Sequence, residues 1–465
     1  MNFNPAGFHS ATNLFRAAAA AAILNTLATG LWAEIVVFND DGCWNWLQDE
    51  RVIVAGGKLI IGSVAAGTHD PTRMGDVEAV SYDLKTGNKQ RFTLHHAGTV
   101  AAQKLWKDDH NCPAFVARPD GRVLALYAHH GRDEKLYHRV AAAGPDFSTW
   151  EEEQVFAVTP GSRVGFPNLV YLSAENGGKG RLLGFFRGLN NKLMPSWAFS
   201  DDAGRTWSAG NVFIEVSPKT VPYVKYAGNG RDTVHIAFTD GHRVNFNNGV
   251  YHVVYRDGSL HRSDGTPLRS LREGLRSAAE GTRIYQANAE SVAMISDLHL
   301  DARGHPHVVY SVQKDTARLR PRPIGADHRY RYARWTGRDW LDREIAYAGG
   351  EVHPVADDDC TGLIALDPQN LNVVYISTDA DPVRGTPLIS AADGKRHWEI
   401  FKGTTADGGA TWGWAAITRD SVRDNIRPVV PVGLVGQSAV IWLRGVMRMP
   451  NDYEFEVVGL VSDPS

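Results

Sequence analysis

Two histidines, His110 and His130, are the first candidates for chemistry in this sequence. They lie 20 residues apart in the polar segments Asp108–Pro113 and Ala128–Arg132, each beside an apolar run. Imidazole exchanges a proton near neutral pH, so two histidines at one end of adjacent strands would suit general acid–base catalysis. The alternative interpretation is that His110 caps a turn and His130 is a satisfied polar side chain.

Arg187 and Tyr223 are the next candidates. Arg187 ends the apolar run Leu182–Phe186, and its planar guanidinium would grip a carboxylate through two parallel hydrogen bonds, although it could equally be a surface residue at a strand end. Tyr223 could exchange a proton. In a strand Tyr223 and Lys225 would share one face and Tyr226 would take the other.

The elements that must position these residues are short strands. The chain contains 46 Gly and 13 Trp among 465 residues, which is typical of many short strands joined by tight turns. Helix signals are scarce, and the best of them covers Leu268–Ala279. Strand-like runs bounded by turn residues include Arg51–Val54, Lys58–Gly62, Arg122–Tyr127, Arg181–Phe186, Thr233–Thr239, Gly249–Tyr255, His305–Val312, Asn372–Ser377 and Ser438–Leu443.

Two internal repeats indicate how the strands are organised. Ser200–Trp207 and Thr405–Trp412 share the pattern S/T-x-D-x-G-x-T-W. The pattern resembles the Asp-box, a structural hairpin of β-propeller blades in which Asp accepts backbone hydrogen bonds and Gly takes a positive φ. We therefore predict an all-β, seven-bladed β-propeller with Asp-box hairpins, formed as a single domain by residues 34–465. A pair of β-sandwich domains is the alternative.

Composition excludes several classes of protein. A hydrophobic content of 43% excludes wholesale disorder. The chain has 49 Lys+Arg against 52 Asp+Glu and a net charge of −3, so it lacks the overall positive charge that is typical of proteins that bind nucleic acid or an anionic membrane. We expect a monomer that binds neither.

Residues 1–33 are interpreted as a signal peptide. Arg16 precedes an apolar run from Ala17 to Leu24, and small residues follow up to Ala33. The run is too short to span a bilayer. We expect a secreted or periplasmic protein, the alternatives being an uncleaved anchor or a misassigned start codon.

Three cysteines are too few for a disulfide framework. Cys43 and Cys112 could pair, or all three thiols could be free and buried. A tetrahedral zinc site could be assembled from Asp297, His299, His353 and Cys360, with a calcium site at residues 357–359 as a variant. A solvated acidic loop and a core thiol would explain the same residues without a metal.

Several ordered segments together resemble the BNR-repeat family of seven-bladed propellers. This family includes the ulvan lyases and the L-rhamnose-α-1,4-D-glucuronate lyases. The resemblance extends from about Asn39 to about Leu460. It rests on the segments around His110, His130, Arg187 and Tyr223, and on Asn39–Arg51, Thr239–Arg243, Ile364–Pro368, Asp424–Pro428 and Trp442–Arg444.

The resemblance implies a polysaccharide lyase that breaks an L-rhamnosyl-α-1,4-D-glucuronate bond in an acidic polysaccharide by β-elimination. It implies catalytic roles for His110 and His130, carboxylate neutralisation or leaving-group contact by Arg187, and acid or base action by Tyr223. The Gly after His130 matches the family's His-Gly segment, which favours His130 over its neighbour His129. Expected substrate contacts are Asn111, Lys225, Tyr226, His242 and Arg243.

The same resemblance implies a structural Zn²⁺ or Ca²⁺ and no organic cofactor. It also exposes a departure, because the family often has Tyr where this chain has Phe166. If that Tyr donates the proton in relatives, another group must do so here.

Two other functions remain open at the level of sequence. The first is a propeller glycoside hydrolase, either a rhamnosidase or sialidase-like. An ordinary glycosidase would need two carboxylates at the bond, for which Asp49, Glu50 and Asp240 are candidates. A sialidase-like enzyme would need an Arg cluster with a Tyr nucleophile, and the usual Arg-Ile-Pro start of such enzymes is absent here. A non-catalytic carbohydrate-binding propeller would use the many aromatic residues equally well.

Overall fold

The computed structural model describes residues 34–144, 147–215, 221–242, 247–289, 291–314, 327–352 and 360–462. Four sequence predictions lie outside the described residues: the signal peptide at 1–33, Arg243, His353 and the calcium variant at 357–359.

The described residues form seven antiparallel sheets, which are the blades of a β-propeller. The predicted fold class is therefore confirmed, and the paired-sandwich alternative is wrong. In chain order the strands are β1 Val36–Asn39, β2 Val52–Ala55, β3 Lys58–Val64, β4 Val77–Asp83, β5 Lys89–His95, β6 Ala114–Ala117, β7 Val123–Ala128, β8 Lys135–Val140, β9 Gln154–Ala157, β10 Gly165–Leu172, β11 Arg181–Arg187, β12 Pro195–Ser200, β13 Ser208–Val212, β14 Val224–Gly228, β15 Thr233–Thr239, β16 Gly249–Arg256, β17 Ser259–His261, β18 Pro267–Ser270, β19 Thr282–Gln286, β20 Ser291–Leu300, β21 Pro306–Lys314, β22 His328–Trp335, β23 Trp340–Gly349, β24 Ile364–Leu366, β25 Val373–Thr378, β26 Glu399–Thr404, β27 Gly413–Ala416, β28 Asp424–Val429, β29 Ala439–Met449 and β30 Asp452–Val461.

Blades 1 to 3 are β2–β5, β6–β9 and β10–β13, and blade 4 comprises β14–β19. Blades 5 and 6 are β20–β23 and β24–β27. Blade 7 is β28–β30 together with β1, which pairs antiparallel with β30 through Val36 opposite Gly459. The start of the described chain thus completes the last blade and closes the ring.

The two repeated S/T-x-D-x-G-x-T-W stretches each form a hairpin between the third and fourth strands of a blade. Asp202 accepts hydrogen bonds from the backbone N–H groups of Arg205 and Thr206 at 3.1 and 2.9 Å. In the second hairpin, Asp407 accepts from Ala410 and Thr411, both at 2.9 Å. The carboxylates satisfy donors inside the turns, which explains the spacing of the motif.

The start of the first strand and the end of the second strand of every blade lie at the same end of the propeller, because the two strands are antiparallel. We call this end the upper rim. The hairpins between third and fourth strands lie at the opposite end. His110 and His130 flank β6 and β7 in blade 2, Arg187 ends β11, and Tyr223 precedes β14. The fold therefore brings the four catalytic candidates to the upper rim of three consecutive blades.

The helix predicted over Leu268–Ala279 is wrong. Its first residues belong to β18, and only Ala278–Glu280 forms a helical turn. Leu268 and Leu271 pack against the apolar core of blade 4 from an added hairpin, so tertiary packing overrides the local apolar spacing. The other helical segments are Pro71–Arg73, Val100–Trp106, Asp109–Asn111, Glu175–Gly178 and Leu189–Asn191.

All three cysteines are buried free thiols. Of the two alternatives for Cys43 and Cys112, the structure has the unpaired one. No helix among the described residues is long and apolar enough to cross a membrane.

Candidate active site

The centre of the candidate site is a stacked pair of imidazoles. The rings of His110 and His130 lie 4.2 Å apart between centroids with an angle of 10° between their planes. The short helical turn Asp109–Asn111 holds the first ring, and the connection after β7 holds the second. Asn111 ties the two segments together, because its Oδ1 accepts a hydrogen bond from the backbone N–H of His130 at 2.8 Å.

Asp108 links the two rings through its carboxylate. Its Oδ1 lies 2.6 Å from Nδ1 of His110, and its Oδ2 lies 3.4 Å from Nδ1 of His130. A second carboxylate, that of Asp109, lies 2.8 Å from the same Nδ1 of His110. Because Nδ1 of each ring faces a carboxylate, each Nε2 is the nitrogen left to face a substrate.

The two histidines have opposite pKa shifts. Burial lowers the pKa of His110, but the carboxylates of Asp108 and Asp109 outweigh it and raise this pKa to about 9. Burial, together with the positive charge of His110, lowers the pKa of His130 to about 4. At neutral pH the pair therefore consists of one imidazolium and one neutral imidazole. Two neighbouring groups with pKa values pushed apart are typical of an acid–base site.

The Phe166 ring contacts both histidines and Arg187. Its ring meets both imidazoles edge-on, with centroids 4.9 Å away in each case. The guanidinium carbon of Arg187 lies 3.9 Å from the centroid of the same ring. Phe166 has a φ of 56°, a left-handed conformation at the point where β10 begins with a bulge. The bulge aims an apolar side chain into the site and fixes the cation beside it.

Tyr223 and His242 form the far side of the cluster. The phenol oxygen of Tyr223 lies 2.9 Å from Nε2 of His242, and the Arg187 guanidinium lies 5.8 Å from the Tyr223 ring. The Trp46 ring packs between the two halves, 6.4 Å from His110 and 6.3 Å from Tyr223. The structure therefore brings all four predicted catalytic residues and His242 into one cluster.

Three residues expected to contact substrate are instead buried. Asn111 has no exposed surface, and its side chain bonds the backbone of Trp106 and His130. Lys225 is also fully buried and donates to Asp49 Oδ2 at 2.7 Å. Tyr226 stacks on Phe185 at 4.2 Å within the core. The three side chains support the site from below, because their polar atoms or ring faces are already used inside the protein, and their contact with substrate stays a prediction.

The predicted metal ligands do not converge among the residues described. His299 Nε2 and Asp297 Oδ1 are 3.5 Å apart and form an ion pair, while Cys360 is buried beside the core residues of blade 5. These three do not lie within 4.8 Å of one another, unlike Asp108, His110 and His130. His353 lies outside the described residues, so the four-residue metal site stays a prediction.

Sequence reasoning missed the residues that tune the histidines. Asp108 and Asp109 stand directly before His110, a signal that could have identified them, because a carboxylate next to an imidazole raises its pKa. Arg427 holds Asp109 from blade 7 with an ion pair of 2.5 Å, and no local pattern predicts that contact. Burial raises the pKa of Asp109, but the Arg427 charge brings it down to about 2.

The fold is a seven-bladed propeller, and its upper rim carries a stacked pair of histidines with opposite pKa shifts. The chain belongs to the BNR repeat-containing family, which matches residues 71–348. No curated protein matches it.

Among solved structures, the chain is similar to a PL25 ulvan lyase bound to -[GlcA(1-4)Rha3S]-. The identity is 16% over 91% of this chain and 95% of that one, with a TM-score of 0.64. A second PL25 ulvan lyase structure gives the same values. An α-L-arabinofuranosidase from Fusarium graminearum is 11% identical over 74% of this chain and 91% of that chain, with a TM-score of 0.42.

Proposed function

We propose that the protein is a polysaccharide lyase that cleaves an L-rhamnosyl-α-1,4-D-glucuronate bond by β-elimination and leaves an unsaturated uronate end. The observation that carries the proposal is the stacked pair of His110 and His130, one charged and one neutral, with Arg187 beside it. The PL25 ulvan lyase of similar fold, which is bound to a glucuronate–rhamnose oligosaccharide, supports the substrate class.

The first requirement of the reaction is neutralisation of the uronate carboxylate, which acidifies the proton on C5. The Arg187 guanidinium and the His110 imidazolium are the two cations of the cluster, and both lie against Phe166. We assign them to the carboxylate. Developing negative charge in a partly buried site is best stabilised by donors that are already fixed in place, as both of these are.

The second requirement is a base and an acid. Neutral His130 takes the C5 proton, the electrons of that C–H bond form the C4–C5 double bond, and the C4–O bond breaks. Tyr223 donates its proton to the leaving oxygen and recovers one through His242, which lies 2.9 Å from its phenol oxygen. No water enters the products.

Phe166 replaces the Tyr often present in the family, and this assignment accommodates the change. Phe166 has no proton to give, but its ring contacts hold the two imidazoles and the Arg187 guanidinium in place. Tyr223 supplies a phenol to the cluster, with its ring 5.8 Å from the Arg187 guanidinium. If the family's Tyr is the proton donor in relatives, we assign that role here to Tyr223 of blade 4.

The experiment is incubation of the purified protein with ulvan and, separately, with rhamnose-capped arabinogalactan. The proposal expects ultraviolet absorbance from an unsaturated uronate with at least one of them, and loss of that signal in His130→Ala. Release of saturated sugars from these polymers would show a hydrolase instead. Binding without any cleavage would show a non-catalytic propeller.

Export to the periplasm or the medium is part of the proposal, since the polymer is too large to enter a cell. A test is the mass of the protein recovered from its host: loss of about the first 33 residues supports cleavage of a signal peptide. Recovery of the uncleaved chain would contradict it.

A further inference from the structure

A groove of about 480 Å³ lies on the outer part of blade 6, away from the histidine cluster. Its floor is the sheet face that carries Glu399, Phe401, Trp412 and Trp414, and its wall is the connection from β25 to β26. The volume is within the range of small-molecule sites. None of the residues assigned to the proposed lyase reaction lines this groove, so its occupant is a separate question.

Three aromatic rings form the apolar part of the floor. Trp412 and Trp414 are partly exposed, with ring centroids 6.0 Å apart and planes at 24°. Phe401 lies on the same face of the neighbouring strand. A Cβ at residue 403 would come within 2.5 Å of the Trp414 ring, so the glycine at this position lets the indole lie across the sheet. The face of an indole is the aromatic surface that attracts an organic cation most strongly.

Negative charge dominates the lining of the groove. The carboxylates of Asp381, Glu399 and Asp420 line it, against one exposed guanidinium, that of Arg419. In the part of the chain that the structure describes, no ion pair joins these three carboxylates to a cation. Their hydrogen-bond donors are backbone N–H groups, hydroxyls and one amide, which leave the charges uncancelled. The groove therefore has a negative potential, which attracts cations.

His397 also lines the groove, but it does not change this balance. Its Nε2 lies 2.9 Å from Asp393 Oδ2, and its Nδ1 lies 3.2 Å from Asp424 Oδ1. Each nitrogen of the imidazole thus faces a carboxylate outside the three described above. Even a charged His397 is matched by two negative charges of its own, so the excess of negative charge in the groove remains.

The most buried of the three carboxylates supplies charge while its oxygens are already in use. Glu399 is 5% exposed, and its Oε1 accepts from the backbone N–H of Ser421 at 2.8 Å. Its Oε2 accepts from the hydroxyls of Thr418 and Ser421. An amine or guanidinium carries N–H donors that need acceptors of their own. A cation without N–H groups therefore matches this carboxylate better.

We propose that the blade 6 groove binds a quaternary ammonium group, which lies on the faces of Trp412 and Trp414 and within the field of the three carboxylates. Cation–π attraction and the negative potential of the groove act on the same group, and neither needs a hydrogen-bond donor on the ligand. This site goes beyond the proposed lyase function and does not depend on it.

The test is isothermal titration of the purified protein with choline. The first comparison is the uncharged analogue of choline in which carbon replaces the nitrogen, and the second is ethanolamine, which keeps the charge but carries N–H groups. We expect choline to bind at least about tenfold more tightly than either. Vesicles of phosphatidylcholine form a further arm. Binding to vesicles as well as to choline would identify a lipid headgroup as the source of the ammonium, and binding to choline alone would identify a free solute.

A substitution in the floor of the groove tests the aromatic contact. Trp414→Ala should weaken choline binding by about tenfold, and Trp414→Phe should bind with an affinity between those of Trp414→Ala and wild type, because phenylalanine has a smaller ring face. Val435→Ala is the matched control, since Val435 is 89% exposed and lies outside the groove.

Two charge substitutions should act in opposite directions. Glu399→Gln should weaken choline binding by about tenfold and leave binding of the uncharged analogue unchanged. The hydroxyls of Thr418 and Ser421 can accept from the new amide, so the local fold is kept. Arg419→Ala should strengthen choline binding by about twofold, because it removes an exposed charge of the same sign as the ligand.

The proposal is overturned if choline does not bind, or if the uncharged analogue binds to wild type as tightly as choline does. Equal binding of ethanolamine would also overturn it, because the carboxylates would then act as hydrogen-bond acceptors. Displacement of choline by rhamnose would make the groove a sugar site instead. A change in sedimentation of Trp414→Ala without ligand would show that a second copy of the chain covers the groove, and would overturn the proposal too. None of these outcomes depends on lyase activity, so the failure of one proposal can be told from the failure of the other.

Discussion

Among the residues that the structure describes, two pairs of histidines stack ring on ring, and only one of these pairs is in contact with carboxylates. His110 and His130 stack on the upper rim, whereas His235 and His252 lie inside blade 4 with Nδ1 of one 3.1 Å from Nε2 of the other. The ring distances are similar, at 4.2 and 5.2 Å. The difference lies in what surrounds them.

Within the described part of the chain, no carboxylate contacts either ring of the inner pair. His252 Nδ1 lies 2.8 Å from the Ser263 hydroxyl, and Trp340 donates to that hydroxyl at 2.9 Å. Burial lowers the pKa of His235 to about 4 and that of His252 well below its usual value. Burial, helped at His235 by the charge of Arg256, thus makes two neutral histidines. On the rim, carboxylates reverse the effect for one ring and leave a charged imidazole stacked on a neutral one.

The largest effect is expected from removal of the proposed base. His130→Ala should lower kcat by about a thousandfold, in the range typical of lost general acid–base catalysis. Uronate formation by ultraviolet absorbance is the measurement. His235→Gln, in the inner pair, is the matched control and should retain wild-type kcat. Equal losses in both variants would mean that the rim pair acts only through stability.

Arg187→Lys should lower kcat/KM by about a hundredfold, because lysine keeps the charge but loses the planar pair of donors and the stacking on Phe166. Steady-state kinetics on the polymer measures it. Arg231→Lys is the control, since that side chain is 77% exposed. If the lysine variant is as active as wild type, bidentate binding of the carboxylate by Arg187 is not needed for the reaction.

The pH profile should have limbs near the two shifted pKa values. Below about pH 4 His130 becomes protonated and cannot accept a proton, and above about pH 9 His110 loses the charge that faces the carboxylate. Asp108→Asn removes one carboxylate, so the alkaline limb should move to lower pH and the rate near neutrality should fall about tenfold. An alkaline limb that stays in place would exclude His110 as its origin.

The smallest effect concerns stability. The folded pKa of His235 is depressed to about 4 against an ordinary value of about 6.5, so its stabilising contribution is complete above pH 6.5 and is lost as the pH falls toward 4. His235→Gln should therefore reduce the fall in the free energy of unfolding between about pH 7 and about pH 5, as measured by urea unfolding. If the free energy of unfolding of the variant depends on pH as steeply as that of wild type, the acid sensitivity comes from other groups.

Much of the fold was predictable because it repeats. The two S/T-x-D-x-G-x-T-W stretches and the even spacing of strands predict a propeller, and Lys58–Gly62 lies within β3 as expected. The added hairpin of blade 4 was not predictable, because the apolar spacing of Leu268–Ala279 fits a helix equally well. Only packing against the blade 4 core decides between them.

The residue types that form the site could be predicted from the sequence. The face of the strand on which each side chain lies, and what it meets there, could be predicted only in part. Alternation puts Tyr223 and Lys225 on one side of a strand but does not show that Lys225 meets Asp49, which lies 176 residues away in sequence. The link between Arg427 and Asp109 spans 318 residues and depends on ring closure. Such contacts are set by the closed propeller and are absent from any local pattern.

The central claim is elimination, and it is tested most directly by cleaving the polymer in water enriched in heavy oxygen. The account predicts products with one unsaturated uronate end per cleaved bond and no oxygen from the solvent. Mass spectrometry of the released oligosaccharides measures both properties in one sample. Incorporation of one solvent oxygen per bond, with saturated ends, would contradict the account and make the protein a hydrolase.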